Sequence, residues 1–168
     1  MRYLRPAITY KDEIKRRSQE LYYTDDMMYY TGCLESHCID ISEDCGDYRY
    51  NYAVVEPATS KLIGFISYYV NWYAQNVYAF GLISFDKGNP VIGLALREVM
   101  HMIINQYHMH RMEFRCVGGN PVKRHYDNFC KRYNGRVIEL KDVFKDRMGE
   151  YHNDYIYEII IDKKGADK

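Results

Sequence analysis

"NVYAFGLISFDKGNPVIGLALREVMHMIINQY", residues 76–107, decides how the rest of the chain is read. Its first eleven residues are rich in aromatic and branched apolar types and read as a strand. From Val91 onward, Ile92, Leu96, Val99 and Ile103 fall on one face of a helix. Only "KGNP" separates the two, so the strand turns almost at once into the helix. The next strand pattern, "HRMEFRCV" (110–117), then completes a right-handed unit with two parallel strands, from about Val77 to Val117. Gly81 interrupts the first strand, where glycine marks a bulge or a close backbone approach. The loop at 88–93 leads into a first helical turn with free N–H groups and a positive dipole end, which suits a phosphate.

Working outward, the other strands pair as hairpins. "RYLRPAI" is a short alternation that Pro6 confines to a sheet edge, and "KDEIKRRSQELYY" is an amphipathic helix. Thr24 is placed to cap a second helix, "DDMMYYTGCLE", and residues 36–49 read as a loop. "YNYAVVE" and "LIGFISYYVNW" flank the turn formers of residues 57–61. After the parallel unit, Asn120 is a natural cap and Pro121 a natural first residue for the helix "PVKRHYDNFCKRYN", which Gly135 ends. "RVIEL" and "DYIYEIII" supply the last two strands. The pattern predicts one domain, residues 1–162, with a polar tail, 163–168. Two parallel strands in an otherwise antiparallel sheet leave a crevice beyond their carboxyl ends, and ligands bind in such places.

Composition narrows the function. The chain of 168 residues carries 23 basic and 23 acidic side chains, so no net field draws it to nucleic acid or to an anionic membrane. It has no apolar run near the roughly 18 residues of a membrane span and no signal-peptide core, which points to the cytoplasm. Nineteen tyrosines supply amphipathic packing bulk. The five cysteines, 33, 38, 45, 116 and 130, are expected to be reduced thiols. Cys33, His37, Cys38 and Cys45 lack paired knuckle spacing, so no metal is expected.

Two stretches, "GNPVIGLAL" (88–96) and "GNPVKRHYDNF" (119–129), together with the element order, resemble the GCN5-related N-acetyltransferase family. The resemblance implies a mixed α/β fold: a central sheet of six to seven strands, mostly antiparallel with one splayed parallel pair, flanked by about four helices. It implies acetyl-CoA as cosubstrate and transfer of the acetyl group to the amine of a small molecule or peptide, with a homodimer left open. The family's phosphate loop reads Arg or Gln, any two residues, Gly, any residue, then Gly or Ala. Here Gly93 matches the last position, while Gly88 replaces the first side chain and Val91 the middle glycine.

Carried over by position, the cofactor contacts are Gly88, Asn89, Val91, Ile92 and Gly93 for the pyrophosphate and Asn120 for the pantetheine arm. Lys123 and Arg124 would meet the 3′-phosphate, and the backbone of Leu82 and Ile83 would face the thioester. Tyr126 is the best match to the tyrosine that protonates the departing thiolate, at a spacing one residue shorter than the commonest pattern. Tyr22, Asp25, Asp26 and Tyr30 are the candidates for the acceptor side. Direct attack needs no enzyme nucleophile, and none is evident. Neither Asp86 nor His101 recommends itself as a base. A fold that binds coenzyme A or a protein without turnover is the competing reading.

Overall fold

The computed structural model describes residues 1–24, 39, 41 and 48–161, and the elements below lie within them. In chain order they are β1 (Leu4–Pro6), α1 (Lys11–Thr24), β2 (Arg49–Val55), β3 (Leu62–Asn71), β4 (Asn76–Ser84) and α2 (Val91–His101). These are followed by β5 (Arg111–Val117), α3 (Lys123–Arg132), β6 (Arg136–Lys145) and β7 (Tyr151–Ile160). The strands form one sheet in the order β1-β2-β3-β4-β5-β7-β6. β4 and β5 are its parallel pair, and every other neighbouring pair is antiparallel. Among the described residues there are three α-helices. The fourth predicted one, after Thr24, falls outside them, as do Cys33, His37, Cys38 and Cys45.

Each face of the sheet buries its own core. On one side Tyr68, Val77, Phe80, Phe114 and Tyr157 pack against Ala95, Val99 and Ile103 of α2 and Cys130 of α3. On the other, Val55, Leu62, Phe65 and Ile83 pack beneath Ala7 and Ile14. Full burial of one such side chain contributes about 1.5–3 kcal/mol, so the two layers fix which helix lies on which face. The tyrosines serve here as predicted, with the Tyr50 and Tyr68 rings stacked at 5.2 Å and Tyr107 tilted 5.7 Å from Tyr50.

α1 is pinned where it matters for the loop after β4. The Arg17 guanidinium donates to Leu62 O and Phe85 O at 2.8 Å each and lies over the Phe85 ring. Gly64 of β3 does the corresponding work for α2. A Cβ at this position would stand 2.5 Å from Ile83 O and 2.6 Å from Ile92 Cδ1, so only hydrogen lets the first turn of α2 rest on the sheet.

Thr24 ends α1, its hydroxyl donating to Glu20 O at 2.8 Å, and the helix it is expected to cap lies outside the described residues. Three sequence expectations are corrected. The helix after Asn120 begins at Lys123, because Pro121 and Val122 are taken up in a turn. α2 ends in a π turn, Met102–Gln106, closed by the Tyr107 N–H on Met102 O. β6 runs five residues beyond "RVIEL".

Candidate active site

The parallel pair comes apart. Asn76, Val77 and Phe80 of β4 pair with Arg111, Met112 and Phe114 of β5, and nothing beyond Phe80 and Phe114 pairs. β4 nevertheless continues to Ser84, held to β3 through Gly64 and Ser84, and β5 continues to Val117, held to β7 through Val117 and Asp154. Both strands are thus secured on their outer edges while their inner edges diverge, leaving a wedge with unpaired backbone groups. The extra residue that causes the divergence is at Ala79, not Gly81. Ala79 has φ +48°, and the registers of β4 with β3 and with β5 both slip across it, whereas Gly81 pairs regularly with Ser67.

Backbone direction separates the two expected thioester donors. Phe85 donates its N–H to Ile63 O at 2.8 Å, and Ile83 O lies against Gly64, so these odd-numbered residues bond toward β3. In an antiparallel ladder the direction alternates along the strand. Leu82 therefore presents its N–H to the wedge, and Ile83 does not.

At the wedge mouth the loop is held by its own side chains. Gly88 takes φ +81°, the conformation for which glycine is needed there. Asn89 donates to Asp86 Oδ2 at 3.1 Å, while its Oδ1 accepts the Val91 N–H at 2.9 Å. Val91 opens α2 after Pro90 (φ −65°, ψ −19°), so its β-branched side chain meets no strain in a place where the family pattern has glycine. Ile92 donates to Asn89 O and Leu94 to Pro90 O, both at 3.3 Å. An added Cβ at Gly93 would meet nothing within 4 Å, and with the Val91, Ile92 and Leu94 N–H groups committed, the Gly93 amide is what remains of the first turn for an anion. Asp86 is held below the usual carboxylate range by the Asn89 hydrogen bond and by Lys61 at 3.6 Å. A loop that lacks one N–H at Pro90, commits another to Asn89 and keeps a carboxylate nearby is a weaker anion cradle than the family pattern.

Of the other predicted residues, α3 brings Tyr126 to the root of the wedge. Asn120 Oδ1 accepts the Val122 N–H at 3.0 Å, an N-cap interaction placed one turn early. The half-buried Tyr126 ring stands edge-on to Phe114, the last residue of β5 paired with β4, at 4.9 Å, and Tyr157 stacks flat on the same Phe114 at 5.0 Å. Tyr157 donates its hydroxyl to Asp127 Oδ1 at 2.8 Å. Lys123 is engaged by the Asp127 carboxylate at 3.0 Å and lies 4.2 Å over the Tyr155 ring. Arg124 is exposed. On the acceptor side, Tyr22 lies in the last turn of α1, while Asp25, Asp26 and Tyr30 lie outside the described residues.

Two groups escaped the sequence reading. Glu113, next to Phe114, shares the α1 face of β5 with Arg111 and accepts from its Nη1 at 2.7 Å. The alternation in "RMEFR" already placed it opposite Met112 and Phe114. Arg147, in the turn after β6, reaches the end of α1. No periodicity could have announced a contact across 124 residues. His101 lies elsewhere, lining a cavity of about 570 Å³ with Tyr3, Tyr52 and Tyr107 at the far end of α2. Among the described residues, no group of three or more His, Cys, Asp or Glu could hold a metal ion, and no helix is long and apolar enough to cross a membrane.

No family model matches the chain, and no curated protein matches it. Solved structures do. A ribosomal-protein alpha-N-acetyltransferase in complex with coenzyme A superposes with a TM-score of 0.69 at 14% identity, over 96% of each chain. The spermidine N-acetyltransferase of Vibrio cholerae gives 0.64 at 16% identity over 92% of each. A GCN5-related N-acetyltransferase from Brucella melitensis gives 0.57 at 14% identity, over 95% of this chain and 76% of its own. With its seven-stranded sheet, single parallel pair and splayed β4 and β5, the chain has the fold of the GCN5-related N-acetyltransferases.

Proposed function

We propose that the protein transfers an acetyl group from acetyl-CoA to a primary amine by direct attack on the thioester. The observation that carries this reading is the wedge between β4 and β5, open from Phe80 and Phe114 to the phosphate loop. Its support from outside the chain is that structures of the same fold are named as acetyltransferases, one of them in complex with coenzyme A. The pantetheine arm lies in the wedge as an added strand. The Leu82 N–H meets the thioester oxygen and stabilises it as it becomes an oxyanion. Gly93 and the first turn of α2 take the pyrophosphate, and Asn120 faces the arm. Tyr126, next to Phe114 at the wedge root, gives its proton to the departing coenzyme A thiolate. The amine enters from the α1 side, past Tyr22. The free Cys116 and Cys130 suit a reducing cytoplasm.

The test is release of coenzyme A from acetyl-CoA with spermidine and with peptides bearing a free N-terminal amine, run beside a calorimetric titration of coenzyme A. Tyr126→Phe should lower kcat by about a hundredfold or more, the range of a lost general acid, with coenzyme A affinity held. Unchanged kcat removes Tyr126 from the role. The Asn89 cap and the Asp86 carboxylate favour one second reading, a module that binds coenzyme A without turnover. Binding with no release from any amine would establish it.

A further inference from the structure

The apolar core on the α1 face draws its strand residues from β2, β3 and β4, among them Val55, Leu62, Phe65 and Ile83. On β5 and β7 the same face is mainly charged. Met112, Phe114 and Cys116 turn toward α2 and α3, so Arg111, Glu113 and Arg115 turn the other way, with Glu158 and Asp154 beside them in the β5–β7 ladder. Arg111 is fully engaged, donating to Glu158 Oε1 at 2.9 Å, Asn76 Oδ1 at 3.1 Å and Glu113 Oε2 at 2.7 Å. Arg115 is not. Its Nε donates to Asp154 Oδ2 at 2.9 Å and its Nη2 to the same oxygen, and among the described residues nothing else takes a hydrogen bond from the guanidinium.

The two partners are unequally placed. Asp154 is fully buried, whereas the Arg115 side chain is 37% exposed. Asp154 Oδ1, also closed to solvent, has no hydrogen-bond partner among the described residues. A buried carboxylate with an empty oxygen is costly, and an ion pair kept for stability alone would satisfy both oxygens. What this pair does achieve is to hold a guanidinium by its Nε and Nη2 side and leave the end-on fork of Nη1 and Nη2 for something else.

Arg115 directly follows Phe114, the last residue of β5 that pairs with β4. Asp154 stands opposite Val117, so the Arg115 side chain runs toward the carboxyl end of β5, where the wedge widens. α2 and α3 occupy the other face of these strands, and an amine therefore reaches a thioester lying in the wedge from the Arg115 side.

We propose that Arg115 selects an acceptor whose amine is accompanied by a carboxylate, as in an amino acid, with Asp154 as the positioning residue that holds the guanidinium. The inference rests on the transferase reading and names its substrate class. The fork offers a carboxylate two parallel N–H bonds and repels a second ammonium, so such an acceptor is favoured over a polyamine.

Matched acceptors decide it: L-phenylalanine against phenethylamine, and L-lysine against cadaverine, each pair differing only in the carboxylate. In the wild-type chain, kcat/KM from coenzyme A release should be about tenfold or more higher for the amino acid of each pair, the range of one hydrogen bond to a charged group. Removing Arg115 alone would strand a buried charge, so the guanidinium is removed in the double variant Arg115→Met/Asp154→Val, in which the ratio within each pair should fall to about one. Asp154→Asn keeps the shape and loosens the hold, and it should raise the KM for phenylalanine several-fold more than that for phenethylamine. In a separate calorimetric titration of the protein saturated with coenzyme A, N-acetylphenylalanine should bind about tenfold more tightly than N-acetylphenethylamine, and the double variant should not distinguish them. An equal or lower kcat/KM for the amino acids, or an advantage that survives the double variant, overturns the proposal. A wild-type chain that binds coenzyme A but acetylates none of these amines counts against the transferase reading, and the titration then decides on Arg115, where no tighter binding of the carboxylate overturns its role.

Discussion

Adding one methyl group at Gly64 tests how the fold delivers the site. An alanine Cβ there would lie 2.5 Å from Ile83 O and 2.6 Å from Ile92 Cδ1. The second clash is with the end of a flexible side chain and can be relieved by rotation. The first cannot, because Ile83 O belongs to the β3–β4 ladder, so backbone must give by about half an ångström or more to reach an ordinary contact. Overpacking of this kind costs about 1–3 kcal/mol, and the reduced freedom of the unfolded chain returns roughly 0.4–1 kcal/mol of that. The net of about 1–2 kcal/mol corresponds to a fall in Tm of roughly 2–8 °C for a domain of this size. Because Ile83 stands one residue before the end of β4, the backbone shift also moves the loop that follows, and coenzyme A affinity should fall. Gly135→Ala is the matched control, since its Cβ would meet Glu158 O at 2.5 Å and Cys130 Sγ at 2.7 Å, between α3 and the far side of the sheet. It should cost comparable stability and leave coenzyme A binding alone. Thermal unfolding and calorimetry of the two variants give the answer. Wild-type stability in Gly64→Ala, or equal losses of coenzyme A affinity in both, refutes the reasoning.

Other expectations follow from buried and paired groups. Burial pushes the Cys116 thiol up to about 11 and also raises Cys130. Iodoacetamide at pH 8 should therefore leave both unmodified in the folded chain and alkylate both in urea, read by peptide mass mapping. Labelling of folded Cys116 would contradict its packing. Besides Asp86 and Glu139, three carboxyls lie below their usual range: Glu158 beside Arg136 and Arg111, Asp146 through His152, and Asp127, where the Tyr157 and Lys123 hydrogen bonds outweigh an opposing effect of burial. The folded chain keeps these groups deprotonated at a pH where the unfolded chain takes up protons. Their stabilisation is thus complete above about pH 4–5 and is lost as pH falls through the depressed folded values. The urea midpoint should drop below about pH 4, less steeply in Glu158→Gln; a midpoint that rises on acidification refutes this account.

What could be read in advance, and what could not, divides along physical lines. The apolar periods of residues 76–117 specified a strand, a helix and a parallel strand, because each side chain's burial is set by its own element. The edge position of β1 followed from one missing N–H at Pro6, and the pair Pro6 and Tyr52 does lie at the sheet margin. The bulge was assigned to the wrong residue for an equally physical reason. Glycine is the least costly residue at positive φ, so Gly81 drew the assignment, but ladder registers on both sides of β4 hold Ala79 in the left-handed region.

The phosphate loop shows the same limit from the side of chemistry. Its sequence revealed a missing glycine and a proline without an N–H. It did not reveal that Asn89 would turn back on Val91, because side-chain capping competes locally with any ligand and is decided by a few ångströms of loop geometry. In the unliganded chain, the amide that an anion would seek already has an acceptor. A pyrophosphate must either displace Asn89 Oδ1 or bind around it at Gly93. In the first case the exchanged hydrogen bond contributes little net affinity, since a bond to charged oxygen replaces one already made. On the transferase reading, the grip on the nucleotide then falls to the backbone edge along the wedge, at Leu82 and Ser84 on β4 and beyond Phe114 on β5. That edge is held open by the β3 and β7 ladders outside it and not by any glycine motif, and for this reason the splay between β4 and β5, more than the loop sequence, makes the site.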